Sequence, residues 1–133
     1  KRHPDSVINF KGFLSDNELA LHYQNCKAFI FPGEDDFGIT PVEAMQYGKA
    51  VIAFAKGGAL ETVIDGKTGI LFEDSSVEGL KNALIKFETQ SNKFDKKYIQ
   101  DYADQFSSSK FNEAITNLIS AKWQDFTKNR QDE

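Results

Sequence analysis

The chain has 133 residues, one cysteine and a formal net charge of −4, the size of a single domain; at about 150 residues such a domain buries roughly 70 % of its unfolded surface. Charges of both signs are interspersed without a basic block, which argues against a nucleic-acid surface or a polybasic membrane anchor. The lone Cys26 excludes an internal disulfide and a Cys-x-x-Cys site and fits a reducing, cytoplasmic setting, while no run of about 18 apolar residues and no leader-like start predicts a membrane span or export.

In chain order, Val7, Ile8 and Phe10 form a short strand signal closed by Gly12. Ser15 with Glu18 makes a capping box, and Leu19, Ala20, Tyr23 and Cys26 recur at helical spacing, predicting a helix over 15–25. Ala28–Phe31 reads as a buried parallel strand that breaks at Pro32-Gly33. After an acidic loop, Thr40 suits an N-cap and Pro41 the first helical position, where its missing N–H would be unpaired anyway. A helix over 41–47 follows, with Gly48 just past its end. Residues 50–55 read as a buried strand, 59–64 as a short helix, 70–72 as a last strand and 77–87 as a helix. Strand and helix alternate, which predicts a doubly wound, Rossmann-like α/β fold with a parallel sheet of about four strands and right-handed crossovers.

Residues 88–94 are the most linker-like part of the chain, so the division expected is an α/β core over 1–87, a linker, and C-terminal helices over 95–133. Tyr98, Ile99, Tyr102 and Phe106 mark one helix. A longer one starts near Ser109, with Phe111, Ala114, Ile115, Leu118, Ile119 and Trp123 on its apolar side. Core packing is the expectation for 111–118; Trp123 and Phe126 read rather as cover for another surface. The tail from Lys128 reads as frayed.

The chemistry concentrates in Phe31 to Met45, where a strand end, a glycine loop and a helix start follow one another. Free backbone N–H groups and the positive end of a helix dipole converge there, which makes a ready site for phosphate. Glu43 falls three residues after Thr40 and by local pattern closes a capping box on the Thr40 N–H. Asp35 and Asp36 by themselves read as a solvated acidic turn, and Phe37 as a core plug beneath it.

These residues also carry a family resemblance. Asp35, Asp36, Phe37, Gly38, Pro41, Glu43, Ala44 and Met45, followed by Gly48, Val51 and Ile52, resemble the donor-binding motif of the retaining glycosyltransferases of family 4, which have the two-domain GT-B fold. The likeness continues through Gly57-Gly58-Ala59-Leu60-Glu61-Thr62-Val63 and Gly66-Lys67-Thr68-Gly69-Ile70-Leu71, and back to Asn9-Phe10-Lys11-Gly12-Phe13. It implies that the chain is the C-terminal, donor-binding domain of a hexosyltransferase.

The family motif has two acids eight positions apart, the first at the donor sugar and the second on the ribose hydroxyls; here these are Asp35 and Glu43. The resemblance thus implies Asp35 as the catalytic-site acid and reverses the preference for Glu43 from cap to ribose ligand. The first position is usually Glu, so Asp35 draws its carboxylate back by one methylene. Gly38, Ile39 and Thr40 supply N–H groups and a hydroxyl to the diphosphate. The loop after the first strand commonly holds the base, which singles out Leu14 and Asp16; Asp16 is equally explained by the helix dipole. Lys11, Lys49 and Lys56 do not match the family's basic pair, which lies upstream of Val7.

The resemblance also implies a nucleotide-sugar donor, GDP-mannose-like from the 57–63 pattern, with no metal. Its implied partners are a glycan or lipid-linked acceptor and an N-terminal GT-B domain absent from this chain, with room for a peripheral membrane association of the full enzyme. The contrasting reading is a non-catalytic α/β module that keeps the scaffold for another phosphate ligand or a protein partner. His3 and His22 offer no base or metal set, and no Ser/His/Asp set, HExxH, GxGxxG or Walker motif is present.

One topological expectation follows from the resemblance. In a sheet of order 3-2-1-4-5-6, segment 7–10 would lie third and Ala28–Phe31 fourth, with two strands between them that this chain lacks. Segment 7–10 is then either displaced from the sheet or slid over to pair with Ala28–Phe31, and displacement is the favoured outcome.

Overall fold

The computed structural model describes residues 8–129. Three short apolar runs form a parallel sheet in the order β1-β2-β3: β1 (Ala28–Phe31), β2 (Ala50–Phe54) and β3 (Gly69–Phe72). Ile30 stands opposite Ile52, and Ile52 opposite Ile70. Every residue of β2 is buried, as expected of a parallel strand covered on both faces. Gly69 has to be glycine for a packing reason, since a Cβ there would run into the Val51 backbone.

The helices among the described residues are α1 (Asp16–Asn25), α2 (Ile39–Gln46), α3 (Ala59–Thr62), α4 (Val77–Gln90), α5 (Lys96–Ala103) and α6 (Ser108–Asn129). The Glu18 carboxylate accepts the Ser15 backbone N–H at 2.9 Å and the Ser15 hydroxyl at 2.7 Å, so the first helix starts on the capping residues read from the sequence. α4 starts at Ser76, whose hydroxyl accepts the Gly79 N–H, and α5 at Asp95, whose carboxylate accepts the Tyr98 N–H. The core gathers Met45, Ile52, Ile70 and Ile99, all fully buried; each such side chain is worth roughly 1.5–3 kcal/mol of transfer free energy. Two buried threonines are satisfied locally: Thr62 donates to the Gly58 carbonyl at 2.9 Å, and Thr68 accepts the Ile64 N–H at 2.8 Å.

The described sheet has three strands rather than about four. Residues 8–10 carry no regular structure, with Ile8 66 % and Phe10 84 % exposed, and Val7 lies outside the described residues. Residues 8–10 thus do not pair with β1, whose outer edge carries no strand among the described residues.

The stretch 88–94 is not an open linker. α4 continues to Gln90, a 3-10 turn occupies Ser91–Lys93, and the Phe94 ring stacks on Phe87 with centroids 5.6 Å apart. This returns α5 to the body of the molecule, where Ile99 and Ala103 are fully buried and the Gln100 amide donates to the Gln46 carbonyl of α2 at 3.1 Å. α6 behaves differently. Phe111, Leu118, Ile119 and Trp123 are all exposed, so the core packing expected for 111–118 is not made; helical periodicity names an apolar face without saying what covers it. Residues 130–133 of the tail, and His3, lie outside the described residues.

Candidate functional site

The carboxyl ends of β1 and β2 open into two loops that meet, which in open α/β sheets is the edge where ligands bind. The first loop, 32–38, is braced by the second through Gly57-Gly58. The Gly58 N–H donates to the Asp35 carbonyl at 2.8 Å, and a Cβ on Gly58 would overlap the Phe37 backbone. Gly57 has φ +55°, and a Cβ there would overlap the Asp35 carbonyl. The double glycine is therefore a seat on which the acidic loop rests, a consequence of close backbone approach rather than of flexibility.

The start of α2 differs from the capping pattern read in the sequence. The N-cap is Gly38, in the left-handed region at φ 77°, and Ile39 and Thr40 already lie inside the helix. Thr40 is thus the second helical residue instead of the cap, and Pro41 the third instead of the first. The left-handed turn that only glycine takes easily sets the entry, and it overrides the hydroxyl's capping preference. Glu43, now a full turn inside, does not close a capping box. The N–H groups of the first turn of a helix have no intrahelical acceptor, so Gly38, Ile39 and Thr40 bring theirs to the loop mouth. Gly38 is buried, while Ile39 and Thr40 are exposed.

Freed from the cap, the Glu43 carboxylate accepts a hydrogen bond from the Tyr23 hydroxyl at 3.1 Å. Both side chains line a cleft of about 200 Å³ between α1 and α2, together with Asp16, Leu19, Ala20, Gln46 and Tyr47. Asp16 and Glu43, 27 positions apart in the chain, are thus brought to one cleft. Leu14 is half-buried in the loop before α1 and is not among the residues lining this cleft. The Asp35 side chain is exposed and turns onto its own loop, accepting the Asp36 N–H at 2.8 Å. Phe37 is no core plug: it is 42 % exposed and meets Phe106 edge to face at 5.9 Å. The Lys56 ammonium lies over the Phe54 ring, 5.4 Å from its centroid. Among the described residues, no group of three His, Cys, Asp or Glu is arranged to hold a metal ion.

Tyr23 is a member of this site that local sequence pattern does not single out. In the sequence it is one of the apolar positions at helical spacing in 15–25. Its ring is 5 % exposed, stacks on Tyr47 at 5.6 Å and meets Phe29 edge-on at 5.7 Å. Burial, and then the hydrogen bond to Glu43, push the Tyr23 phenol well above its ordinary range, so it remains a donor at neutral pH. The available signal is the residue type, since a buried tyrosine hydroxyl needs a partner.

Three comparisons bear on the site. The family model for glycosyl transferases group 1 matches residues 1–106. Among curated proteins, the chain is 39 % identical over 99 residues to the alpha-1,3/1,6-mannosyltransferase ALG2 of Dictyostelium discoideum, covering 71 % of this chain and 23 % of that one. It is 35 % identical over 86 residues to a glycogen synthase of Xanthomonas axonopodis pv. citri, covering 63 % and 18 %. The chain therefore spans about a quarter or less of the length of these relatives. Among solved structures it is similar to sucrose-phosphate synthase from Thermosynechococcus elongatus (TM-score 0.68, 25 % identity, 85 % of this chain and 30 % of that one). It is also similar to Anabaena Alr3699/HepE in complex with UDP-glucose (TM-score 0.63, 29 % identity, 74 % and 29 %). With four-fifths of its length under the family model and a Rossmann-like α/β sheet shared with GT-B structures, the chain belongs to the glycosyl transferases group 1 family.

Proposed function

We propose that this chain is the donor-nucleotide half of a retaining, family-4-type glycosyltransferase that moves a mannose-like hexose from a nucleoside diphosphate sugar to a glycan or lipid-linked acceptor. The observation that carries the reading is the Glu43 carboxylate, released from helix capping and facing a cleft that also holds Asp16. Glu43 takes the ribose hydroxyls, the N–H groups of Gly38 and Ile39 with the Thr40 hydroxyl take the diphosphate, and Leu14 and Asp16 border the base. Asp35 approaches the donor sugar. A GDP-mannose-like donor is supported by the mannosyltransferases among the relatives, and a nucleotide-sugar site by the UDP-glucose bound to the Anabaena protein.

Transfer needs no metal in this reading. Negative charge develops on the leaving diphosphate, and helix N–H groups already aimed there stabilise it more in the transition state than in the ground state. The acceptor sits on an N-terminal GT-B domain that completes the enzyme in the cytoplasm, so this half binds donor and does not transfer by itself.

Calorimetric titration of the chain and of its Glu43→Ala variant with GDP and UDP tests the proposal. Loss of a charged acceptor for two hydroxyls should cost about 1.5–3 kcal/mol in binding. Unchanged affinity would remove Glu43 from the site.

A further inference from the structure

The Tyr23–Glu43 contact satisfies a buried phenol, whereas Glu43 is only half-buried and water could satisfy its carboxylate without the tyrosine. Yet the tyrosine is fixed from three sides. Its ring lies between Tyr47 and Phe29, its backbone belongs to α1, and its hydroxyl is delivered to the carboxylate on α2. A glutamate on a helix surface otherwise samples many rotamers, and ordering it on ligand binding costs affinity. A phenol held rigidly by stacked rings is an efficient brace, because it loses little freedom of its own in making the bond.

We propose that Tyr23 is a positioning residue that holds the Glu43 carboxylate in place for a ribose diol, so that the chain's preference for ribonucleoside diphosphates is set jointly by α1 and α2. One oxygen of the carboxylate is engaged by the phenol, and a carboxylate has about four acceptor sites, which leaves capacity for two ribose hydroxyls. The Tyr23 hydroxyl donates to the carboxylate and so fixes the orientation of its oxygens. Tyr47 supports the arrangement from below by stacking on the Tyr23 ring. The inference rests on the ribose assignment of Glu43 made above.

The test compares GDP with its dideoxy analogue, which lacks both ribose hydroxyls, by calorimetry on the chain and on the Tyr23→Phe, Glu43→Ala and doubly substituted variants. Tyr23→Phe keeps the ring and its stacking, and thermal unfolding verifies that it folds. In the unsubstituted chain GDP should bind more tightly than the analogue, and Glu43→Ala should abolish that difference. Tyr23→Phe should weaken GDP about three- to tenfold while leaving the analogue unchanged, and it should add nothing in the Glu43→Ala background. An undiminished preference for GDP in Tyr23→Phe overturns the positioning role while leaving Glu43 as the ribose ligand. An equal loss for both nucleotides also overturns it, since it would reduce Tyr23 to packing. If the unsubstituted chain does not distinguish the two nucleotides, the ribose assignment fails and the inference fails with it.

Discussion

Substituting Gly58 by alanine isolates the contact on which the acidic loop rests. Gly58 has φ −62° and ψ −18°, a conformation alanine adopts without strain, so the backbone torsions predict no penalty. Reduced freedom of the unfolded chain would even favour alanine by about 0.4–1 kcal/mol. Space decides the outcome. The added Cβ would overlap the Phe37 carbonyl and Cα, which belong to main chain and cannot swing aside as a side chain would. Overpacking of this kind costs about 1–3 kcal/mol. If the loop moves away instead, the Gly58 N–H to Asp35 carbonyl bond is lost, at about 0.5–1.5 kcal/mol. The net expectation is a destabilisation of about 1–3 kcal/mol, accompanied by weaker nucleotide binding because loop 32–38 leads into the α2 start. Denaturant unfolding of Gly58→Ala should be measured beside Gly33→Ala, where no atom lies within 4 Å of the new Cβ. Equal midpoints for the two variants would refute the account of the double glycine as a steric seat.

Lengthening Asp35 to Glu in the full-length enzyme should raise transfer rate without changing nucleotide affinity, read by steady-state kinetics and calorimetry; weakened GDP binding would reassign the acid to another ligand. The Glu18 carboxyl is held below its ordinary range by the Ser15 hydroxyl and then the Ser15 N–H, so the charged form is the one that caps α1. A depressed folded-state value means that this contribution is fully present above the unfolded value of about 4.3 and is lost as pH falls through the lower folded one. The stability difference between the chain and its Glu18→Ala variant should therefore be constant near neutrality and vanish in acid, and a difference that grows on acidification would contradict the assignment.

How legible the molecule was depends on the range of the interaction involved. The parallel strands, the Ser15 cap and the Gly48 helix end are local: apolar runs, a Ser-x-x-Glu spacing and a glycine at φ 72° suffice. At the start of α2 two local signals compete, and the left-handed Gly38 prevails over the Thr40 hydroxyl. That shift of about two residues decides the chemistry, since it turns Glu43 from a capping side chain to a partner of Tyr23. Tyr23 itself lies 20 positions from Glu43, and no sequence window joins them. Phe37 and residues 111–118 of α6 show the opposite limit, since hydrophobicity does not by itself mean burial: an aromatic at the loop mouth and the first half of a 22-residue helix are exposed. Residues 88–93 are all polar, which reads as a linker, while Phe94 just after them and Phe87 just before them do the packing.

The outer edge of β1 leads to the last prediction. β1 pairs with β2 on one side only, and among the described residues no strand lies on its other side. An unpaired strand of four residues with Ala28, Phe29 and Phe31 only half-buried and Ile30 42 % exposed has none of the charges, prolines or bulges that natural edges use to discourage pairing. Its backbone N–H and C=O groups must then take water or another strand, and the apolar side chains beside them favour the strand. Residues 8–10 do not fill that role, since they carry no strand and stand exposed. The chain should therefore associate with copies of itself as concentration rises from micromolar to millimolar, visible in sedimentation. Ile30→Lys places a charge on the exposed edge position while leaving the buried β2 partner Ile52 in place, and it should shift the sedimentation profile toward monomer with little loss of folded stability. Monomeric behaviour of the unsubstituted chain over the whole range, with slow exchange of the outward-facing β1 amides, would mean that the edge is already satisfied within one chain.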